Sequence, residues 1–246
     1  MDTTTSRTKF RNQLLGALST RDLALLTPGL EFVTLKERAI LETPGKPVEY
    51  VYFIEHGVAS VVAVNSDDIR LEAGLVGLEG MTGAAVILGS QRSPHLTNMQ
   101  LAGDALRLKA SALRAAIDQS VSLHGVLLKY VHTFLTQIAH TALSNGRARL
   151  EIRLARWIVM AHDRMDGDEV PLTHEFLSVM LGVRRAGVTV ALHTFEKAGL
   201  ITTRRGKLTV VDRPGLEKVA GGFYGMPEAE LRRLLGESGK AEFAPA

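Results

Sequence analysis

Residues 173–197 have the sequence THEFLSVMLGVRRAGVTVALHTFEK, and this stretch decides the fold of the C-terminal part of the chain. Thr173 precedes an apolar run with helical spacing, and its hydroxyl is suited to capping that helix. Gly182 follows the run at a point where a helix ends and the chain turns sharply. A second helix is predicted from about Arg184 to Lys197. Its inner face consists of Val188, Ala191, Leu192 and Phe195.

The residues after this helix pair predict a basic β-hairpin. Its strands are residues 201–203 and 208–211, and its turn is Arg204-Arg205-Gly206-Lys207. Two helices with a glycine-containing turn, followed by a basic hairpin, are typical of a winged helix-turn-helix. In that motif the second helix contacts base edges in the DNA major groove, while the hairpin contacts phosphates. A three-helix lobe with a charged surface is the alternative.

The predicted DNA contacts lie at the starts of both helices and in the hairpin turn. They are Thr173, His174, Arg184, Arg185, Ala186, Thr189, Arg204, Arg205 and Lys207. Arg185 is suited to a bidentate contact with guanine, and Ala186 to contact with a thymine methyl group. Gly187 lowers helix propensity, and we expect it to allow a close approach of the backbone to DNA.

The charge of the chain is unevenly distributed. The 246 residues have a net charge of +3. Residues 171–220 contain eight basic and four acidic residues, so this segment carries +4 and the remainder carries −1. A local positive charge suits a polyanion such as DNA, although a solvated basic surface accounts for the charge equally well.

Upstream, residues 31–108 alternate short apolar runs with turn residues, a pattern typical of an antiparallel β-roll or barrel. Residues 84–88 are among the candidate strands. Short helices are predicted within residues 10–26, with Ser19 as the cap of the second. Near the other end of the chain, a short helix is predicted at residues 228–235, followed by a disordered end.

A long helix is predicted between the β-roll and the C-terminal helices. One apolar stripe on it has heptad spacing, and we assign its members to a dimer interface: Leu127, Val131, Phe134 and Ile138. A second stripe, Leu128, Leu135 and Ala142, lies one position further round, so one stripe can cover the β-roll while the other meets a partner. An ordinary buried helix is the alternative. Residues 144–146 (Ser-Asn-Gly) are predicted to end the helix as a hinge.

Together these segments resemble the Crp/Fnr superfamily of bacterial transcription regulators over residues 14–220. The similarity is carried by residues 44–47 (PGKP), 51–60 (VYFIEHGVAS), 172–183 (LTHEFLSVMLGV) and 192–201 (LHTFEKAGLI). The resemblance implies an α+β fold with an N-terminal antiparallel β-roll of the cyclic-nucleotide-binding type, a long dimerisation helix and a C-terminal winged helix-turn-helix. The expected divisions are residues 1–117, 118–145, 146–220 and a tail of 221–246.

The resemblance also implies a function. It implies a homodimer that binds double-stranded DNA at a pseudo-palindromic operator, in the cytoplasm, with RNA polymerase as a further partner if the protein activates transcription. The family's usual recognition helix carries Arg-Glu-Thr-Val followed two residues later by Arg. Here only Arg185 is kept, so we expect a different operator sequence.

An effector site is expected in the β-roll if the protein responds to a small molecule. By resemblance to cyclic-nucleotide-binding members, its candidate residues are Glu79, Arg92 and Ser93. The spacing of Glu79 and the presence of Pro94 depart from that pattern, which favours a different effector or none over a cyclic nucleotide. Two other functions stay open: a cyclic-nucleotide receptor with allosteric output, and a ligand-binding β-roll whose C-terminal lobe binds a protein.

Several protein classes are excluded by what the sequence lacks. The absence of cysteine rules out disulfides, thiolate-held iron–sulfur clusters and a cysteine nucleophile. No nucleophile-elbow, phosphate-loop, dinucleotide or zinc-protease motif is present, so no enzymatic activity is predicted. Asp166, Asp168 and Glu169 are interpreted as a solvated acidic loop and not as a metal site. No apolar run is long enough for a membrane helix, so no membrane partner is expected.

Overall fold

The computed structural model describes residues 10–236. The chain starts with two short helices, α1 (Gln13–Gly16) and α2 (Thr20–Leu26). The Ser19 side chain accepts a hydrogen bond from the amide of Asp22, which confirms its predicted role as the cap of α2. Seven strands follow. They are β1 (Glu31–Leu35), β2 (Ile40–Glu42), β3 (Tyr50–Ile54), β4 (Val58–Val64), β5 (Arg70–Val76), β6 (Leu96–Leu101) and β7 (Gly103–Lys109).

These strands form the two antiparallel sheets of the predicted β-roll. One sheet has the order β1-β7-β3 and the other β2-β6-β4-β5. Large apolar side chains from both sheets, including Phe53, Leu75 and Met99, are at most 1 % exposed. These three side chains belong to three different hydrophobic clusters, so the sheets bury apolar surface on more than one face, and this burial stabilises the roll.

The predicted strand at residues 84–88 is wrong, because this segment forms the short helix α3 (Ala84–Ile87). Gly83 lies at its N-cap with a φ of 82°, and this left-handed conformation turns the chain into the helix. Val86 and Ile87 are buried. A short apolar run fits a strand and a buried helical turn equally well, so periodicity alone could not distinguish them.

Two helices lead out of the β-roll, α4 (Ala110–Gln119) and the 27-residue α5 (Val121–Arg147). The predicted end of the long helix at residues 144–146 is wrong, since α5 continues through Gly146 to Arg147. The chain becomes extended only at Ala148 and Arg149. Asn145 does not break the helix, because its side-chain oxygen accepts a hydrogen bond from Arg153 at 3.1 Å and ties the two helices together.

The predicted dimer stripe of this helix is also wrong. Leu127, Val131 and Phe134 are at most 8 % exposed and pack into the β-roll of their own chain, with the half-buried Ile138 beside them. The second stripe is the exposed one: Leu128 is 40 % and Leu135 55 % exposed. Replacing Phe134 by Glu is therefore expected to disrupt the protomer's own core.

The C-terminal lobe begins with α6 (Leu150–His162). Its remaining elements are β8 (Glu169–Val170), α7 (His174–Leu181), α8 (Arg185–Lys197), β9 (Ile201–Arg204), β10 (Lys207–Val210), α9 (Arg213–Ala220) and α10 (Met226–Leu235). The strands form a three-stranded antiparallel sheet in the order β8-β10-β9. The predicted C-terminal helix is confirmed as α10, and it packs against α5. The predicted disordered end lies almost wholly outside the described residues.

The lobe packs directly on the β-roll through buried polar contacts. Trp157 of α6 donates a hydrogen bond to Glu72 of β5 at 2.8 Å. Just beyond α6, Arg164 forms an ion pair with Glu79 at 2.6 Å, and both side chains are almost fully buried. Gly77 makes room for it, because a Cβ there would lie 2.6 Å from Cγ of Arg164. The lobe is thereby fixed to the turn that follows β5.

Within residues 10–236, no single helix has the length and apolar character needed to cross a membrane. The bent pair α7 and α8 meets these criteria by length and composition only. The division of the chain at residues 117, 145 and 220 stays a prediction.

Candidate nucleic-acid interface

The helix pair α7 and α8 has the geometry of a helix-turn-helix. The two helices are bent by 111° relative to each other, within the usual range for this motif. Thr173 caps α7 by accepting a hydrogen bond from the amide of Phe176 at 3.2 Å. Gly182 ends α7 with a φ of 61°, a left-handed conformation that favours glycine. Both local signals in the sequence therefore act as predicted.

One face of α8 is buried in the lobe, and this fixes which residues face outward. Val188, Ala191, Leu192 and Phe195 are at most 2 % exposed and belong to the core that α6 and the sheet also line. The opposite face is exposed and contains the predicted DNA contacts Arg185, Ala186 and Thr189, with Arg184 just before the helix. The start of α8 is thus accessible to a DNA groove.

Gly187 does not have the role predicted for it. A Cβ at this position would lie 3.1 Å from Cδ2 of Leu150, so the glycine faces α6. The missing side chain allows α6 and α8 to approach each other closely. The expectation that Gly187 allows the backbone to approach DNA is therefore wrong.

The hydroxyl of Thr189 is occupied within the lobe. It donates a hydrogen bond to the carbonyl oxygen of Arg185 at 3.1 Å and lies 3.0 Å from Nδ1 of His174. The second contact joins α7 to α8 and brings the predicted residues His174 and Thr189 together. Base contact through this hydroxyl would have to compete with both interactions.

The predicted hairpin is confirmed as β9 and β10, with Gly206 at a φ of 74° in the turn. Arg204, Arg205 and Lys207 are exposed at its tip. The Lys207 ammonium group forms an exposed ion pair with Glu169 at 2.7 Å, and this interaction lowers the pKa of the Glu169 carboxyl. Lys207 is therefore already paired in the absence of DNA.

Most acidic side chains of the lobe are bonded to other groups, so they do not neutralise the exposed arginines at the start of α8 and in the hairpin turn. Glu196 accepts hydrogen bonds from the amide and hydroxyl of Thr203, at 2.8 and 2.6 Å, which fixes the hairpin to the end of α8. Within the part of the chain that the structure describes, the side chains of Arg184, Arg185 and Arg205 have no hydrogen-bond or ion-pair partner. Unpaired and exposed guanidinium groups are suited to bind phosphates and guanine edges.

The structure does not bring the three predicted effector residues into one site. Glu79 forms an ion pair with Arg164 and also accepts a hydrogen bond from the amide of Gly77 at 3.2 Å. Arg92 is exposed and donates to the carbonyl oxygen of Gly45 at 2.6 Å. Ser93 is buried, and its hydroxyl interacts with the backbone of His95. These contacts do not join the three residues into one phosphate-binding site, and an effector site in the β-roll stays a prediction.

The space between α5 and the β-roll is filled by side chains of the protein. The Tyr130 hydroxyl donates to the carbonyl oxygen of Met81 at 2.6 Å, and Gln137 accepts a hydrogen bond from the amide of Leu75 at 2.6 Å. A cavity of about 30 Å³ lies beside these residues, bounded on its other side by α10. It has room for about one water molecule, whereas sites for small ligands measure about 300–1,000 Å³. This cavity is too small for a cyclic nucleotide.

The acidic loop after α6 is more structured than predicted. Asp166 forms a bidentate pair with Arg11, at 2.8 and 2.6 Å, and lies 3.5 Å from Nε2 of His56. Asp168 pairs with His162 at 2.9 Å, and Glu169 pairs with Lys207. Among residues 10–236, no group of three or more His, Asp or Glu side chains is placed to hold a metal ion.

Sequence reasoning missed the positions of three residues, one on α8 and two at the boundary between the lobe and the β-roll. Val190 is 66 % exposed on the outer face of α8, and its solvent-facing position follows from the helical spacing. Glu72 and Arg164 join the lobe to the β-roll, and no local pattern indicates that either side chain is buried. The sole tryptophan of the chain, Trp157, was the available signal for an important packing position.

Comparison with known proteins agrees with this geometry. Residues 152–219 match the Crp-like helix-turn-helix domain family. The chain therefore contains a Crp-like helix-turn-helix domain. This domain includes most of α6, the helix pair and the hairpin, and it carries all the predicted DNA contacts. A search of curated proteins finds no match to the sequence.

Solved Crp/Fnr structures have a fold similar to that of most of the chain. FixK2 from Bradyrhizobium japonicum has a TM-score of 0.66 at 16% identity, with 78% of this chain and 98% of FixK2 covered. A CRP-family transcriptional regulator from Thermus thermophilus has a TM-score of 0.64 at 17% identity, with 77% of this chain and 97% of that regulator covered.

The c-di-GMP-responsive global regulator CLP from Xanthomonas campestris has a TM-score of 0.61 at 15% identity, with 78% of this chain and 99% of CLP covered. The resemblance to the Crp/Fnr superfamily and the predicted fold class are confirmed. The chain thus combines a Crp-like helix-turn-helix domain with a fold similar to that of Crp/Fnr regulators.

Proposed function

We propose that this protein is a homodimeric transcription regulator that binds a pseudo-palindromic DNA operator through two copies of α8. The observation that carries the proposal is the exposed start of α8 in a Crp-like helix-turn-helix domain, where the side chains of Arg184 and Arg185 have no partner within residues 10–236. In this proposal Arg185 contacts guanine, and Arg204 and Arg205 of the hairpin contact phosphates. The proposal assigns the protein no catalytic role.

The exposed stripe of α5 supports a dimer. Leu128, Leu135 and Ala142 are seven residues apart and exposed, with Leu143 49 % exposed beside them. A sustained heptad of apolar residues on a long helix is the pattern of a two-helix coiled coil. Two copies related by a two-fold axis would bury this stripe, and we assign the dimer interface to it.

A dimer of this kind sets the spacing of the DNA site. Two recognition helices related by a two-fold axis fit successive major grooves about 34–36 Å apart. The operator should therefore contain two inverted half-sites centred about one helical turn apart, or a multiple of that distance. RNA polymerase as a further partner stays a prediction that depends on activation of transcription, and a cytoplasmic location accompanies the proposed role.

Control by an effector stays a prediction without assigned residues. Glu79, Arg92 and Ser93 are engaged with other parts of the chain, and no contact of the described residues favours the cyclic-nucleotide receptor or the protein-binding lobe as an alternative function. An effector that acts on this protein must bind one arrangement of the two lobes more tightly than another.

Selection of bound sequences from random DNA tests the DNA-binding proposal. The full-length protein should enrich an inverted repeat, and its affinity for that site should fall linearly on logarithmic axes as the salt concentration rises. A protein that retards no DNA in a mobility-shift assay at low salt would contradict the proposal.

Sedimentation of matched variants tests the dimer. Leu135→Glu places a carboxylate in the exposed stripe and should give monomers, because burying it against a second copy is costly. Lys129→Glu places a carboxylate on the same helix outside the stripe and should leave the dimer intact. A dimeric Leu135→Glu variant would show that the interface lies elsewhere.

A further inference from the structure

The outward face of α8 carries an apolar side chain that packing does not explain. Val190 is 66 % exposed, and it belongs to none of the three hydrophobic clusters of the described residues. Valine is also a modest helix former, since its branched Cβ restricts χ1 against the preceding turn. Neither the stability of the lobe nor that of the helix therefore accounts for an outward-facing valine here.

Val190 forms an apolar pair with Ala186. The two residues are four positions apart on a helix, so their side chains lie one above the other on the same face. Both are exposed. They continue the surface that begins at Arg185, and they lie opposite the buried Val188 and Leu192. The recognition face of α8 thus combines one guanidinium group with a small apolar surface.

The charged surroundings select the kind of partner that this apolar pair contacts. The side chains of Arg184, Arg185 and Arg205 are exposed and have no hydrogen-bond or ion-pair partner within residues 10–236, while Glu196 of α8 is bonded to Thr203. Such a surface favours a polyanion over an apolar protein face. In the major groove of DNA, the C5-methyl group of thymine is the apolar feature among the base edges.

We infer that Val190, together with Ala186, recognises thymine methyl groups in the operator half-site. This inference rests on the proposed DNA-binding function and adds a specificity-determining residue to it. Arg185 would contact a guanine near the start of the helix. Val190 lies one turn beyond Ala186, so the methyl groups that the pair contacts should lie on neighbouring bases of one half-site.

The test uses the operator obtained by selection and replaces its thymines one at a time by deoxyuridine, which lacks only the methyl group. Wild-type protein should lose about fourfold in affinity at one or two positions, since burial of one such group contributes about 0.8 kcal/mol. In the Val190→Ala variant, the same substitution should change the affinity by much less. This loss of sensitivity would show that the residue and the methyl group are coupled.

Two matched variants serve as controls. Val190→Thr keeps the branched shape and one methyl group, and it should retain most of the sensitivity to deoxyuridine. Val179→Ala removes another exposed valine, 46 % exposed on α7, and should leave the sensitivity at its wild-type level. Circular dichroism of each variant establishes that the helices are retained.

The possible outcomes separate this inference from the proposed function. If no DNA is selected, the DNA-binding proposal fails first, and the inference fails with it. If an operator is selected but deoxyuridine has no effect at any position, or has equal effects in wild type and Val190→Ala, only the inference is overturned. A Val190→Ala variant with wild-type operator affinity that has lost binding to a protein would assign this face to a protein partner instead.

Discussion

Charged side chains are arranged in opposite ways in the winged-helix lobe and at the boundary between that lobe and the β-roll. In the lobe, Arg184 and Arg185 are exposed, and neither side chain has a hydrogen-bond or ion-pair partner in the described part of the chain. At the boundary, Arg164 and Glu79 are buried and paired at 2.6 Å. Glu72 is also buried, where it accepts hydrogen bonds from Trp157 and Ser60.

This difference separates the residues that hold the protein together from those available to a partner. A buried charge is stable only when it is paired or hydrogen-bonded. Loss of one member of a buried pair therefore lowers mainly the free energy of unfolding. An exposed guanidinium group contributes little to folding, so its loss is felt mainly in DNA affinity. Variants of the buried residues should therefore change mainly the free energy of unfolding, and variants of the exposed residues should change mainly DNA affinity.

The largest effect is expected from Arg164→Met. Removal of the guanidinium group leaves the buried Glu79 carboxylate without its cation, which should lower the free energy of unfolding by about 3–5 kcal/mol. Urea denaturation measures this change. The double variant Glu79→Gln/Arg164→Met removes the unpaired charge and should recover part of the loss. A loss below about 1 kcal/mol in the single variant would mean that the pair does not hold the lobe to the β-roll.

Glu72 should make the free energy of unfolding depend on pH. Burial raises the pKa of its carboxyl from 4.5 to about 7, despite the hydrogen bonds from Ser60 and Trp157. Between these two values the folded protein binds more protons than the unfolded chain, so the free energy of unfolding falls as the pH rises. Between pH 4.5 and about pH 7, the contribution of Glu72 to the free energy of unfolding should decrease by about 3 kcal/mol.

Glu72→Gln replaces the carboxyl by an uncharged amide of similar shape. This variant should lack the decrease in the free energy of unfolding that Glu72 causes. Denaturation of both proteins at pH 5 and pH 8 measures the difference between them. Glu169→Gln, at an exposed carboxyl, is the matched control and should retain the wild-type decrease. Equal pH dependence in wild type and Glu72→Gln would contradict the assignment.

Arg185→Ala should change DNA recognition and leave the fold intact. Loss of a bidentate contact with guanine should remove about 1–3 kcal/mol of discrimination at one base pair of each half-site, while non-specific binding changes little. Repeating the DNA selection with this variant measures the relaxed preference. A variant that weakens binding to all sequences alike would show that Arg185 contacts phosphate.

Lys207→Ala should give the smallest effect. It should weaken binding to all sequences alike and lower the salt slope by about one unit. The ion pair with Glu169 competes with phosphate, which limits the loss. Glu169→Gln releases Lys207 and should strengthen binding at low salt. Opposite results for these two variants would show that the lysine lies away from the DNA backbone.

The helix-turn-helix was predictable because its signals are local. Thr173 caps its helix through an amide three residues later, and Gly182 ends that helix within the same turn. The effector site was not predictable in this way. Glu79 and Arg164 are 85 residues apart in sequence, and nothing near either residue indicates that they form a pair. Motif resemblance in the β-roll therefore gave no indication that Glu79 pairs with Arg164.

By itself, the sequence determined the elements whose hydrogen bonds and apolar spacing lie within a few residues, including the helix pair, the hairpin and the long helix. Tertiary structure alone decided which stripe of α5 faces inward. Both stripes are apolar and have the same seven-residue spacing, so periodicity does not show which of them is buried. The choice depends on shape across the interface, since the ring of Phe134 fits against Gly74, where a Cβ would lie only 2.8 Å away. That fit leaves Leu128 and Leu135 exposed, because a helix can turn only one face toward the β-roll.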